Sequence, residues 1–523
     1  MRKFVLLCIM MFLQFFSWGA WMATLAAAFD EKGLSALTGD AFAQAPIAAI
    51  IAPLFLGLIA DRLFPSEKVM GVLMLVGGGL LFLIPGLAEN GQENGETIIW
   101  LILAHLICFM PTLGLGNTIA FAHIESADLF PKVRVWGTIG WIAAGLTVGF
   151  CGWSNTMDIF WLGAISSVLL GVICFQLPNT PPPLKGQPMN LRSVFMVDAF
   201  KLLADKNYLI FAICSTLICV PLAYYYGVTS SFLNHMGFEE SAATMTIGQM
   251  SEIFFMMLIP FFFRKLGLKL MILIGMGCWV VRYLLFAYGA PDQITWMLLL
   301  AVAVHGICYD FFFVAGFMYT EEKAPKHVRG QAQGLLVFLT QGVGMFFGYK
   351  IMAAGTFLGL SLGFTVGDYG KQLDEENKTK YTYTLSELRN GATAENIKAE
   401  LTKSNAEKRA VTEPTSNISF GQQITKMFSR DLPADEINNV DPDQLGKLTS
   451  DWKNFWMFPA ILAAAVFVLF LAAFWDKSTG GTQIADTSED SPDEGDGATS
   501  TELETVSPEA ESCSTEGDCE TGG

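Results

Sequence analysis

Apolar segments of about bilayer length recur along the 523-residue chain, and nothing else in it limits the fold as much. Hydrocarbon about 30 Å thick needs roughly 20 consecutive apolar residues in a helix, and every backbone polar group within it has to be bonded inside the protein. Twelve stretches satisfy that condition: 4–28, 40–61, 68–88, 97–122, 133–153, 157–177, 207–233, 241–263, 268–289, 294–319, 331–356 and 453–475. The first begins "MRK" and ends "AAA", as a secretory signal does. Its apolar run is too long for that, and Gln14, Trp18 and Trp21 interrupt it, so it reads as a retained helix. Composition agrees: 52% of residues are hydrophobic, 15% are charged and mean hydropathy is +0.43. Soluble enzymes and nucleic-acid binders carry about 25% charged residues and fit poorly. The expected fold is an all-α membrane protein.

The loops orient the helices. With the N-terminus in the cytoplasm, the inner segments hold 17 Lys and Arg, and the short outer loops hold Lys32 alone. Positive loops stay inside, and one missed helix would invert every later loop. Both termini are therefore expected to be cytoplasmic. The segment "LPNTPPPLKGQP" cannot continue a helix and separates six helices from six. The expected organisation is a six-helix bundle over 1–177, a cytoplasmic linker over 178–206 and a second six-helix bundle over 207–475. Residues 367–451 read as a polar extracytoplasmic insertion between helices 11 and 12. From Asp476 the chain carries 14 acidic residues and one Lys, a net of −13 out of −17, and too little apolar content to fold alone. It reads as a disordered, solvated cytoplasmic tail. The ten cysteines show no metal-ligand spacing, and no metal or cofactor is expected.

Polar groups in the apolar segments are the informative exceptions, because ionisable residues in a bilayer usually line a cavity or a proton path. Asp310 lies deep in helix 10, within "HGICYDFFFVAGF". Flanking aromatics desolvate its carboxylate, which suits a proton carrier; the alternative is a protonated Asp that glues two helices. Thr246, Gln249 and Glu252 recur every three residues in helix 8, a polar stripe that suits an uncharged polar ligand or a seam against a neighbouring helix. Arg134, Thr138 and Trp141 share a face of helix 5 and have the chemistry to grip a polar ring. From position alone, however, Arg134 reads as a snorkelling helix-end residue. "GLIADR" (Gly57, Asp61, Arg62) ends helix 2 and suits a conformational latch, or an ordinary capped loop. His305 precedes Tyr309 by one turn on helix 10 and has the position to line the same cavity, whereas His105 and His123 read as packed polar groups.

Twelve helices in two sixes with a GxxxDR turn resemble the major facilitator superfamily. More closely, "LQFFSWGAWMATL", "FMPTLGLGNTIAF", "VRVWGTIGW", "GQMSEIFF", "RYLLFAYG" and "YDFFFVAGFMYTEEKAPKHVRGQAQG" resemble its nucleoside:proton symporters. The resemblance implies a nucleoside site formed by Arg134, Thr138, Gln249, Glu252, Tyr309 and Asp310, with Trp141 at an aromatic position. It also implies proton coupling through Asp310, with Glu252 as a second coupling carboxylate. In helix 7 the better-known members carry amide side chains toward substrate. Here the stretch reads "PLAYYYGVTSSF", so Tyr224, Tyr225 or Tyr226 has to serve, with Tyr226 taken as the candidate. His305 stands where a Tyr is common.

The expected function is proton-coupled import of purine and pyrimidine nucleosides across a bacterial cytoplasmic (inner) membrane by alternating access. The expected form is a monomer in the bilayer that binds no nucleic acid. A major facilitator carrier of another polar solute, such as a sugar, and a non-transporting membrane sensor are the rival readings. An enzyme is not expected, since no nucleophile–base pair, metal cluster or phosphate loop stands out.

Overall fold

The apolar runs fold as helices that continue through Pro111, Pro221, Pro260 and Pro459, while Gly267 breaks the longest of them. The computed structural model describes residues 2–55, 63–125, 129–182, 196–238, 240–325, 328–357, 360–362, 421, 428 and 442–475. The predicted latch residues Gly57, Asp61 and Arg62, most of the 367–451 insertion and the acidic tail lie outside them.

Helix α1 spans Arg2–Met22 and continues as Leu25–Glu31; α2 is Thr38–Phe55 and α3 is Ser66–Leu81, extended by Ile84–Ala88. Helices α4, α5 and α6 are Gly95–His123, Phe130–Phe150 and Asp158–Cys174. Helix α7, Lys206–His235, starts where the Asp205 carboxylate accepts a bond from the Tyr208 amide at 2.8 Å, a side-chain N-cap. The run Ser241–Gly289 holds two helices that meet at Gly267, whose φ of 69° and ψ of 169° are open to glycine but not to a side-chain-bearing residue; we call them α8 (241–266) and α9 (268–289). Helix α10 comprises Thr295–Ala303, His305–Tyr309, a π turn over Asp310–Val314, and Ala315–Lys323. Helix α11 runs Arg329–Val337, a second π turn Phe338–Gly344, and Met345–Ala354. Helix α12 is Pro442–Ala473.

Ten helical runs among the described residues are long and apolar enough to cross a membrane. One of them is the merged α8–α9 run, and α6, at 17 residues, falls just short. Each of the twelve predicted segments overlaps one of the helices α1 to α12 over its described residues, residues 56–61 of the second lying outside them. Two features differ from expectation. Residues 442–451, assigned to the insertion, are helical and continuous with α12, which opens at a proline whose fixed φ suits the first helical position. After α11 a small antiparallel hairpin pairs β1 (Thr356–Phe357) with β2 (Leu360–Ser361).

Helix α1 packs on α5 and α6, and α3 packs on α4 and α6, while α4 also supports α2. Helix α7 packs on α11 and α12, and the α8–α9 run on α10 and α12. Between these groups α5 meets α8, α2 meets α11, and the end of α1 meets α7. Polar bonds join the two groups at the face holding the C-terminal end of α1. Lys350 Nζ lies 2.5 Å from Asp40 Oδ1, and Ser231 donates to Asp30, which also faces His235 at 3.9 Å. Ser154 donates to Glu240 at 2.7 Å, and the Asn155 amide donates to Asn234 at 3.2 Å.

Close approach of α1 and α5 depends on Gly140, where a Cβ would overlap the Phe12 backbone. Gly140→Val should lower the stability of the detergent-solubilised protein by about 1–3 kcal/mol, the usual cost of overpacking; thermal melting followed by size-exclusion chromatography checks it.

Candidate functional site

The centre of the site is a junction between α8 and α10. A Cβ at Gly306 would overlap the backbone of Ser251 and Glu252, so glycine lets the two helices touch. The Gly306 amide donates to Ser251 Oγ at 2.9 Å, and Ser251 Oγ donates to the Gly248 carbonyl at 2.7 Å. One turn away Gly248 lies against His305. Glu252 follows Ser251 directly and is held at this contact, and Gln249, a turn earlier on the same face, is buried. Thr246 behaves differently. Its hydroxyl donates to the Ala243 carbonyl at 2.6 Å and its methyl group faces Gly145 of α5, so it serves packing.

Helix α5 approaches the same place. The Arg134 guanidinium lies 4.1 Å over the Phe15 ring and interacts electrostatically with Glu252 and Tyr309. It is turned between the helices rather than out to the membrane surface, against the reading from position alone, because a carboxylate on α8 faces it. Thr138 is half-buried. Trp141 meets Trp18 of α1 edge-on at 5.3 Å, Trp18 meets Phe109 at 5.4 Å, and Phe15, under Arg134, lies 6.4 Å from Trp18, giving an aromatic wall.

Helices α7 and α10 close the other side. His305 lies 5.8 Å from Tyr309, and Tyr309 lies 4.8 Å from Phe313. The three candidate tyrosines separate. Tyr224 packs on Phe455 and Phe458 of α12 at 5.1 and 5.5 Å, and Tyr225 stacks on His305 at 5.1 Å. Tyr226 meets His305 edge-on at 6.1 Å and interacts electrostatically with Tyr309 and Glu252, so Tyr226 is the one that faces the cluster. Asp310 is fully buried, opens the π turn of α10 and interacts with Glu252. Neither of its carboxyl oxygens has a hydrogen-bond partner among the described residues. Arg134, Glu252, Tyr309 and Asp310 thus converge from three helices.

The chain matches the nucleoside H+ symporter family over residues 1–359. It belongs to that family. The match covers α1 to α11 and ends within the hairpin, before the insertion, leaving α12 beyond it. The symporter is 40% identical over 362 residues to the putative nucleoside transporter YegT of Escherichia coli K12, covering 67% of this chain and 84% of that protein. It is 30% identical over 358 residues to the nucleoside permease NupG of Escherichia coli K12, covering 65% and 84%. A crystal structure of NupG superposes with a TM-score of 0.65 at 24% identity, covering 91% of this chain and 100% of that chain. The symporter therefore has the major facilitator fold and is a multi-pass membrane protein.

The sequence alone does not assign two parts of this arrangement. Phe15 and Trp18 lie in an aromatic-rich stretch, where Trp18 stands out only as an interruption of the apolar run and nothing distinguishes a wall residue from lipid-facing neighbours. Arg282 carries a clearer signal, a charge in the middle of an apolar segment. It is fully buried, its Nε donating to the Ala301 carbonyl at 3.1 Å.

The α8–α10 junction is open to a direct check. Ser251→Ala leaves the Gly306 amide without its acceptor and should lower stability by about 1–3 kcal/mol, as for other buried donors left unbonded, in a thermal melt of the purified symporter.

Proposed function

We propose that the protein imports nucleosides together with protons across the bacterial cytoplasmic membrane by alternating access. The observation that carries this reading is the convergence of Arg134, Glu252 and Asp310 inside a membrane-spanning bundle, walled by Trp141, Tyr226, His305 and Tyr309. Family membership and the similarity to nucleoside transporters support the same substrate class.

The chemistry follows from charge balance. Arg134 faces Glu252, so the site has no need of a charged ligand, and an uncharged nucleoside suits it. Thr138, Gln249 and Glu252 supply hydrogen-bonding groups for ribose and base, and the aromatic rings supply stacking faces. Asp310, whose oxygens lack a bonding partner, is the proton carrier, and its interaction with Glu252 links the proton to the substrate-binding residues. In the cycle, Asp310 takes a proton from outside, substrate binds between α5, α8 and α10, the two halves rock, and both leave inside. A proton moving down 100 mV supplies about 2.3 kcal/mol, enough for roughly fiftyfold accumulation at about 1.4 kcal/mol per decade.

The moving bodies are the bundles 1–177 and 207–475, joined by the linker 178–206, with all twelve helices crossing the membrane. The distribution of basic residues supports cytoplasmic termini. On that orientation the bonds Asp40–Lys350, Asp30–Ser231 and Ser154–Glu240 tie the outer face, as expected of an arrangement open toward the cytoplasm. Gly57, Asp61 and Arg62 are the matching latch of the inner face. The protein acts as a monomer, and the 367–451 insertion and acidic tail stand outside the transport cycle.

Proteoliposomes with an imposed inward proton gradient provide the test. The full chain should concentrate labelled uridine, and excess unlabelled nucleosides but not sugars should compete. Asp310→Asn should abolish gradient-driven accumulation while retaining exchange of uridine across the membrane. Accumulation by Asp310→Asn would move coupling to another residue. Competition by sugars alone would favour a carrier of another solute, and absence of any uptake would favour a sensor.

A further inference from the structure

Helix α9 contributes none of the residues named above as lining the site, yet three of its side chains grip the elements that do. Trp279 Nε1 donates to the Cys308 carbonyl at 3.0 Å, next to Tyr309. Tyr283 donates to the Pro221 carbonyl at 2.6 Å, one turn before Tyr225. Arg282 Nε donates to the Ala301 carbonyl at 3.1 Å, one turn before His305. The Arg282 guanidinium also lies 4.0 Å over the centroid of the Tyr225 ring. Tyr225 in turn stacks on His305, centroids 5.1 Å apart and planes inclined by 19°. A cation, a phenol and an imidazole thus stand in one pile, all three buried, and its last member meets Tyr226 and Tyr309.

A buried guanidinium is costly unless its environment compensates it. Among the described residues the side chains that interact with Arg282 include Tyr225, Tyr226, Tyr283, Cys278, Cys308, Trp279 and His305, none of them a carboxylate. An apolar side chain of similar length would fill the same space at lower cost. What the guanidinium alone offers is a flat, charged face that fixes a tyrosine ring from behind.

We propose that Arg282 is a positioning residue of the nucleoside site: stacked on Tyr225, it sets the orientation in which His305, and with it Tyr226, meets the substrate. This rests on the nucleoside-import reading. It makes α9 a determinant of nucleoside selectivity at second hand, through a ring that itself packs behind the wall of the site.

The test compares the full-length protein with Arg282→Met, Arg282→Lys, His305→Gln and the Arg282→Met/His305→Gln double variant in proteoliposomes. Uridine and adenosine uptake is measured, and the histidine side chains are followed by carbon-13 NMR, with the His305 signal identified by its loss in His305→Gln. Arg282→Met should raise KM severalfold, with Vmax near wild type, and should shift the uridine-to-adenosine preference. Arg282→Lys, which keeps the charge but not the planar face, should behave like Arg282→Met. In the His305→Gln background, Arg282→Met should leave the preference unchanged, since coupled residues are not additive. The His305 signal should move in Arg282→Met. If Arg282→Met does not fold, Tyr225→Leu removes the platform instead and should give the same shift in preference. Wild-type KM and preference in Arg282→Met, or equal effects in both His305 backgrounds, would overturn the proposal and leave the import reading standing. A wild-type protein that takes up no nucleoside would overturn the import reading; the His305 signal then decides the link, and an unmoved signal refutes it.

Discussion

An ionisable side chain in hydrocarbon costs about 2.5–3.5 kcal/mol at a helix centre on the insertion scale, and the interior of this protein is arranged around that cost. Arg134, Glu252 and Asp310 come from three helices, and Glu252 interacts electrostatically with both of the others. The cluster requires α5, α8 and α10 to lie side by side, and the backbone contacts of those helices serve that end. Gly145 admits Thr246 between α5 and α8, and Gly306 admits Ser251 between α8 and α10. Small residues give close backbone approach where no hydrophobic force draws helices together.

The backbone is least regular where the chemistry is concentrated. Asp310 opens a π turn in α10, and a second π turn interrupts α11. Such turns often mark functional positions in otherwise α-helical segments. Cys308, two residues before the first of them, has its carbonyl bonded by Trp279. A local change of register at Asp310 is therefore braced from α9, which joins the support of the site to a helix that touches it only indirectly.

The two helix groups are held differently at their centre and at one face. At the centre Arg134 of α5 interacts electrostatically with Glu252 of α8, and Gly145 of α5 packs against Thr246 of α8. At the face holding the end of α1 they are hydrogen bonds and the half-exposed ion pair Asp40–Lys350. Exposed ion pairs contribute about 0–1 kcal/mol. A few such bonds can break together at modest cost, which suits a contact that has to open and re-form.

Much of this was legible in the chain alone. Segment length and the bias of basic loops determined the helices, because bilayer thickness and backbone bonding leave few alternatives. The motif "DFF" after Tyr309 and the stripe ending in Glu252 singled out the carboxylates because charge in an apolar run is costly enough to be conspicuous. The sequence did not decide which of Tyr224, Tyr225 and Tyr226 faces the cluster. Successive residues differ by 100° around a helix, and only the neighbours α9, α10 and α12 settle which direction is inward. Nor did it decide whether Arg134 turns toward the membrane surface or the interior, since that depends on where α8 presents Glu252. Arg282 is a charge in an apolar run that sequence reasoning missed, and its stack with Tyr225 and His305 is made by three helices far apart in the chain. Local composition determines what crosses the membrane; the partners of each polar group exist only once the helices are packed.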